Sequence, residues 1–339
     1  MAREKSLRTV TRKDIAKAAG VSETVVSYVI NGNRYVKEEK RQRVEEAIKE
    51  LNYRPNTMAR ALKGKQSHHI LFIADDITGE YFGKLLGEID RLAYTEDYFI
   101  TLCADRPDED FVNRIYSRFF DGIVIGSATF PISNIQRLID AGLPVVLLEI
   151  RDYRCVTGSH GLINTGLLSG MHQAVNALHQ RGRTHLLFID RVSDSGNWSD
   201  MDDWRLSGFL TQCEALGIGH SVVSGCRSEE ELLETLVFRL EGGLQVDGII
   251  GRNDPMALIG IQACKRVGLD VPRDISVIGF DDSRLCRFTS PSLTSVAIPQ
   301  KKIAKAVIEM MMNLIETQGE SSERFAVYLD TALVMRESV

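Results

Sequence analysis

The chain has 339 residues, of which 44% are hydrophobic and 26% charged, proportions that exclude a disordered, collagen-like or disulfide-scaffold chain. At about 150 residues per domain, that length predicts two domains, or three. The formal charge of −5 hides an asymmetry: residues 1–66 carry 16 Lys+Arg against 8 Asp+Glu, a net +8, and the remainder carries 25 against 38, a net −13.

The head opens with residues 1–12, basic and polar with no apolar segment, which do not read as a secretory leader. Three helical patterns follow. The first runs near 13–19, with Ile15, Ala16, Ala18 and Ala19 apolar. Thr11 is placed to cap it, with Asp14 three residues later as in a capping box. Gly20 ends it, because a tight turn needs the positive φ that glycine takes freely. Ser22 is a good cap for the second helix, about 23–31, whose core face is Val25, Val26, Val29 and Ile30. Asn31, Gly32 and Asn33 signal a turn. The third helix spans about 37–51, with Val44, Ala47, Ile48 and Leu51 on one face.

Arg54 precedes Pro55 and is pushed out of the helical region, which ends the third helix. Asn56 is then placed to cap a very short helix at 57–63, stopped by Gly64. A helix of that length is not stable alone in water, so it is expected to be disordered in the free chain. Residues 63–67 read as a linker.

Beyond residue 68, short apolar runs alternate with amphipathic stretches. Strands are predicted at 70–74, 99–103, 122–126, 144–150, 185–190, 248–251 and 276–280. Helices are predicted at 82–94, 134–141, 168–180, 203–216, 229–240, 255–267 and 301–315. This alternation indicates βαβ units and parallel sheets covered on both faces. About 270 residues are comfortable for two such sheets. The expected fold is therefore a small all-α helix-turn-helix head plus an α/β core of two parallel-sheet lobes. No apolar run approaches the roughly 18 residues of a membrane span. The six cysteines, Cys103, Cys155, Cys213, Cys226, Cys264 and Cys286, form no CxxC pair. They read as reduced thiols of a cytosolic protein, not as a metal site.

Residues 14–30, DIAKAAGVSETVVSYVI, give two helices joined by a glycine turn, the pattern of a helix-turn-helix. The second helix projects Glu23, Thr24 and Ser27 away from the core, where a major groove would receive them. A basic head fits a polyanion; the plain alternative is a generic helical hairpin with a solvated basic face. Enzyme patterns are missing: the sequence has no GxSxG, HExxH, Walker loop or GxGxxG. His172 and His179 lie seven apart with no acidic partner evident and read as ordinary histidines. No cofactor and no metal are expected.

With these residues in view, 10–67 closely resembles the DNA-binding head of LacI/GalR-family transcriptional regulators. The matching pieces are VTRKDIAKAAGVS, the turn after VVSYVING and the ELNYRPNTMARALKGK hinge. The body carries similar signatures at GLPVVLL, NDPMA, VPRDISVIGFDD and PSLTSV, so the resemblance covers about residues 10–339. It implies a periplasmic-binding-protein-like core whose lobes clasp a small ligand, and a homodimer that binds double-stranded operator DNA in the cytoplasm, at the nucleoid. The organisation it implies is a DNA-binding domain at 1–52, a hinge and linker at 53–67 and a core at 68–339. Within the core, lobe 1 takes 68–165 and 292–324, and lobe 2 takes 166–291 and 325–339. The chain would cross between them near Thr165, Pro291 and Arg324.

The resemblance also implies site residues. Thr11, Arg12, Ser22, Glu23, Thr24, Ser27, Tyr28, Asn31 and Tyr35 would meet DNA from the head. Asn56, Ala59 and Leu62 would do so from the hinge, Leu62 as a wedge between minor-groove base steps. Asp76, Thr78, Tyr81, Phe82, Ser127, Glu149, Arg205, Asn253 and Asp281 would line the effector cleft. A forked arginine with Asn and Asp acceptors suits a polyhydroxylated ligand, that is, a carbohydrate. Three departures stand out. Tyr28 replaces an arginine that reads guanine in several members. Gly166 and Leu167 stand where an Asp-Asn pair is frequent, and Ile298 where a glutamine is common. The rival classes are a solute-binding protein or sugar-modifying enzyme of the same lobe plan, and an architectural DNA-binding protein that senses nothing. The basic head opposes the first, and a cleft that takes a ligand would oppose the second.

Overall fold

The structure, a computed structural model, describes residues 10–32, 34–53, 66–75, 77–106, 108–317 and 325–339. The turn residue Asn33, the hinge positions Asn56, Ala59 and Leu62, the cleft candidate Asp76 and the expected crossing at Arg324 lie outside the described residues. The chain divides into two compact units, 1–67 and 68–339.

In the first unit, α1 spans Arg12–Ala19, α2 Glu23–Asn31 and α3 Glu38–Glu50. The capping box is formed: the Thr11 amide and hydroxyl donate to Asp14 Oδ2 at 2.8 and 2.6 Å, and Thr11 Oγ1 accepts from the Asp14 amide at 3.4 Å. Gly20 ends α1 at φ +63°, the left-handed conformation that costs a side chain most. Ile15, Ala16, Ala19, Val26, Val44, Ala47 and Tyr53 are buried together as the small core. The apolar face read for α3 is narrower than expected, since Leu51 is left exposed after the helix end.

The second unit holds two six-stranded sheets. Its first lobe is built from β1 (His69–Ala74), α4 (Glu80–Thr95), β2 (Phe99–Ala104), α5 (Glu109–Tyr116), β3 (Gly122–Gly126), α6 (Ile132–Asp140), β4 (Val145–Glu149) and β5 (Gly161–Asn164). The second lobe follows: α7 (Leu167–Gln180), β6 (His185–Ile189), α8 (Trp204–Leu216), β7 (Gly219–Val223), α9 (Glu229–Glu241), β8 (Gly248–Gly251), α10 (Asp254–Arg266), β9 (Ser276–Phe280) and β10 (Thr294–Ala297). The chain then returns through α11 (Gln300–Glu316) and β11 (Phe325–Tyr328), and finishes with β12 (Ala332–Val334). Sheet order is β11-β5-β4-β3-β1-β2 in one lobe and β12-β10-β9-β8-β6-β7 in the other. Every pairing is parallel except β10 with β12. The central strands β3, β4, β8 and β9 are buried along their whole length, as a parallel sheet covered by helices on both faces requires.

Two of the expected lobe boundaries are corrected by the pairing. Residues 294–297 pair with β9 and belong to the second sheet, so the second crossing comes between Ala297 and Gln300, not near Pro291. Residues 325–328 pair with β5 in the first sheet, and the third crossing lies between Tyr328 and Ala332. In both places a short strand completes the edge of one sheet before the chain leaves it. Among the described residues no helix is long and apolar enough to cross a membrane.

Candidate functional site

The head offers a polar outer face on α2. Ser22 Oγ accepts from the Val25 amide at 3.4 Å and so fixes where the helix begins. Glu23 and Thr24, in its first turn, are exposed, while Ser27 and Tyr28 are half-buried. Asn31 Nδ2 donates to Ser27 Oγ at 3.2 Å, linking two of the expected contact residues one turn apart. Tyr35 is 89% exposed, and Arg12 is the first residue of α1. The hydroxyls of Thr11 and Ser22 are committed to helix caps, which sets the angle at which α1 and α2 begin. Arg34 was not foreseen: its guanidinium lies over the Tyr28 ring, 5.3 Å from the centroid. That contact braces the Tyr28 ring and adds a cation beside it.

In the core, the carboxyl ends of strands from both lobes bring charged side chains together. Arg205, in the first turn of α8, has Nη2 3.8 Å from Asp281 Oδ1 and stacks over the Phe280 ring at 5.3 Å. Asp281 directly follows β9 at φ +100°, a strained conformation for a residue with a side chain. Burial pushes its carboxyl up to about 7 from an ordinary 3.8, against the pull of Arg205. Burial likewise raises the Tyr81 hydroxyl, with Asp281 adding to the effect and Arg205 opposing it, so all three groups share one space. Arg205 Nε and Asp281 Oδ1 are buried without a hydrogen-bond partner. An unpartnered donor beside an unpartnered acceptor is the arrangement a ligand hydroxyl satisfies with both its functions.

Asp203 anchors the wall beside this pair. Its Oδ1 accepts from the Arg205 amide at 2.9 Å, and its Oδ2 lies 2.6 Å from Arg252 and 3.6 Å from Arg191. Its carboxyl is held below the ordinary value: burial alone would raise it, but Arg252, Arg205 and Arg191 together outweigh burial. A cavity of about 240 Å³ opens here, lined among others by Thr129, Arg151, Arg191, Trp198, Ser199 and Asp203.

The remaining cleft candidates separate by environment. Thr78 is exposed and borders a second hollow of about 670 Å³ with Lys84, Arg284 and Phe288. Glu149 is buried at the end of β4 and accepts from Asn164 Nδ2 at 2.8 Å. Asn253 caps α10, its Oδ1 accepting from the Met256 amide at 3.1 Å. Two candidates lie deeper. Phe82 packs in the hydrophobic core, with its ring centroid 6.2 Å from that of Phe72. Ser127 is fully buried; it donates to Asp105 Oδ2 at 2.5 Å and accepts from the Phe130 amide at 2.9 Å, so it shapes the loop after β3. Sequence reasoning missed Asp75, Arg151, Arg191, Asp203 and Arg252. A signal was present for four of them: Asp75 in FIADD, Arg151 in LEIR, Arg191 in FIDR and Arg252 in IIGR all stand within two residues of a strand's carboxyl end.

The departures have local reasons. Gly166 begins the first crossing at φ +76°, and a Cβ there would stand 2.6 Å from the Leu329 carbonyl oxygen. Leu167 and Ile298 are buried in the core cluster beside the crossings.

A helix-turn-helix head followed by two parallel-sheet lobes around a charged cleft is the plan of a DNA-binding regulator controlled by a small molecule. Comparison with known proteins agrees. Residues 11–56 match the bacterial regulatory proteins of the lacI family, and residues 175–339 match the periplasmic binding protein-like domain. The HTH-type transcriptional regulator MalR of Clostridium butyricum is 30% identical over 342 residues, covering 96% of this chain and 98% of the relative. The ribose operon repressor of Escherichia coli K12 is 30% identical over 311 residues, covering 90% of this chain and 93% of the relative. The lac repressor dimer bound to operator and the anti-inducer ONPF superposes with a TM-score of 0.82 at 22% identity, covering 98% of this chain and 99% of that one. The chain belongs to the LacI family of bacterial transcriptional regulators.

Proposed function

We propose that this chain is a homodimeric repressor that binds a pseudo-palindromic operator at the nucleoid, through α2 and the residues around it. Its operator affinity is set by a carbohydrate held between the two core lobes. In this reading Tyr81 closes from the first lobe over Arg205 and Asp281 in the second, and Asn253 offers its remaining amide donors. Glu149 belongs to the first-lobe wall. Thr11, Asn31 and Tyr35 meet the DNA backbone, Arg12 meets a base or a phosphate, and Glu23, Thr24, Ser27 and Tyr28 meet base edges.

The observation that carries the reading is the Arg205–Asp281 pair with its unpartnered Nε and Oδ1. A neutral polyol supplies hydroxyls that donate and accept in one place. The relatives include a repressor named for the ribose operon. The DNA half of the reading is tested by selecting duplexes from a random pool with the full chain and titrating the winners against salt. A repeated, inverted half-site is expected, with affinity falling by about 0.9 log units per log unit of salt for each phosphate neutralised. Equal affinity for every duplex, or no dependence on salt, would refute it.

A further inference from the structure

Residues 190–203, between β6 and α8, belong by chain position to the second lobe and are fastened to it at several points. Asp190 Oδ2 accepts from the Ser199 amide at 2.9 Å. Trp198 Nε1 donates to the Cys226 carbonyl at 3.1 Å. Arg252 reaches both Ser199 Oγ at 2.7 Å and Asp203 Oδ2 at 2.6 Å. The same segment also grips the first lobe. Arg191 Nη1 lies 2.7 Å from Asp75 Oδ2, just past the end of β1. Arg151, beyond the end of β4, pairs with Asp202. The backbone joins in: the Asp152 amide donates to the Asp202 carbonyl at 2.9 Å, and the Trp204 amide to the Ile150 carbonyl at 3.2 Å. These bonds form a short antiparallel bridge between the lobes at Arg151 and Asp203.

We propose that residues 190–203 are a strap that holds the lobes together over the cleft, with the Arg191–Asp75 ion pair as its releasable latch. The two side chains are 16% and 15% exposed, so the pair is partly desolvated, and taking away one partner leaves the other charge partly buried and uncompensated. It is also reachable, because Arg191 lines the 240 Å³ cavity and its buried Nε has no hydrogen-bond partner. A ligand acceptor placed in that cavity would bond Arg191 and compete with Asp75 for it. The backbone bridge at 150–152 and 202–204 lies in the same strap, so loosening the latch frees the bridge as well. Effector binding would then act on lobe closure through Arg191, a residue distinct from the Arg205–Asp281 pair.

The consequence for effectors rests on the repressor reading, but the test uses neither effector nor DNA, so its failure leaves that reading standing. Backbone amide exchange is measured on the full chain and on the variants R191Q, D75N and R191Q/D75N. In the unsubstituted chain the Asp152 and Trp204 amides are expected to be protected. In each single variant they exchange at least about tenfold faster, while the amides of β9 keep their protection as a control for folding. The double variant is no faster than the faster single, because both changes break one tie. Unprotected Asp152 and Trp204 amides in the original chain, unchanged exchange in both single variants, or losses that simply add would overturn the strap. A loss of β9 protection in one single variant leaves the other to decide, and a loss in both also overturns it, since a releasable latch does not hold up the sheet.

Discussion

Arg205 and Asp281 face each other at 3.8 Å, too far for a hydrogen bond and close enough for attraction, with the Phe280 ring 5.3 Å from the Arg205 guanidinium. Both are presented by the second lobe, one from a helix N-terminus and one from a strand end. A hydroxyl within hydrogen-bond reach of both would sit beside the pair, not on the line between them. Arg205→Ala and Asp281→Ala are each expected to weaken effector binding by about 1.5–3 kcal/mol, the loss of one charged hydrogen bond, which is roughly tenfold to 150-fold in Kd. Isothermal titration with a carbohydrate that raises the melting temperature of the unsubstituted chain checks this. Unchanged Kd in both variants would remove the pair from the site.

The raised carboxyl of Asp281 makes a pH prediction with a definite sign. Burial lifts it from 3.8 to about 7 in the folded chain. Between those values the folded state keeps a proton that the unfolded state has lost. The stability this group contributes is therefore fully present below about 3.8, declines as pH rises, and is gone above about 7. Asp281→Asn removes the titration. Melting curves from about pH 5 to pH 8 should show the unsubstituted chain losing ground to Asp281→Asn as pH rises, and parallel curves would show that Asp281 does not titrate there.

Gly166→Ala is expected to destabilise the core by at least about 1 kcal/mol, because a side chain at positive φ is strained and its Cβ meets backbone instead of a movable side chain. Urea unfolding measures it. A neutral result would mean that the crossing relaxes freely.

Much of this architecture was legible because the physics is local. Gly20 with Ser22 marks the turn between α1 and α2, and continuous apolar runs such as 122–126 and 276–280 are buried on both faces. What escaped was decided by neighbours distant in sequence. Residues 161–164, 219–223, 294–297, 325–328 and 332–334 form strands of five residues or fewer, three of them without an unbroken apolar run, and pairing partners settle them. The lobe boundaries moved for the same reason. In the cleft, Arg205 and Asp281 could be picked out by motif. Phe82 and Ser127, named from the same motifs, are buried in the structure, one in the core and one in the loop after β3, a depth that motif position alone does not give. Arg191 and Asp75 are 116 positions apart, and only the fold pairs them.

The central claim, that a small molecule in the core governs a DNA-binding head, is tested most directly by operator affinity with and without that molecule. The compound is chosen as one that raises the melting temperature of the full chain in a library of sugars, sugar acids and nucleobases. Fluorescence anisotropy of the selected operator, titrated at fixed salt, should then show a change in Kd of about fivefold to 150-fold when the compound is saturating, the range of an ordinary coupling between sites. The same change should be missing for Arg205→Ala. An operator Kd that is identical with and without a compound bound in the core would contradict the account.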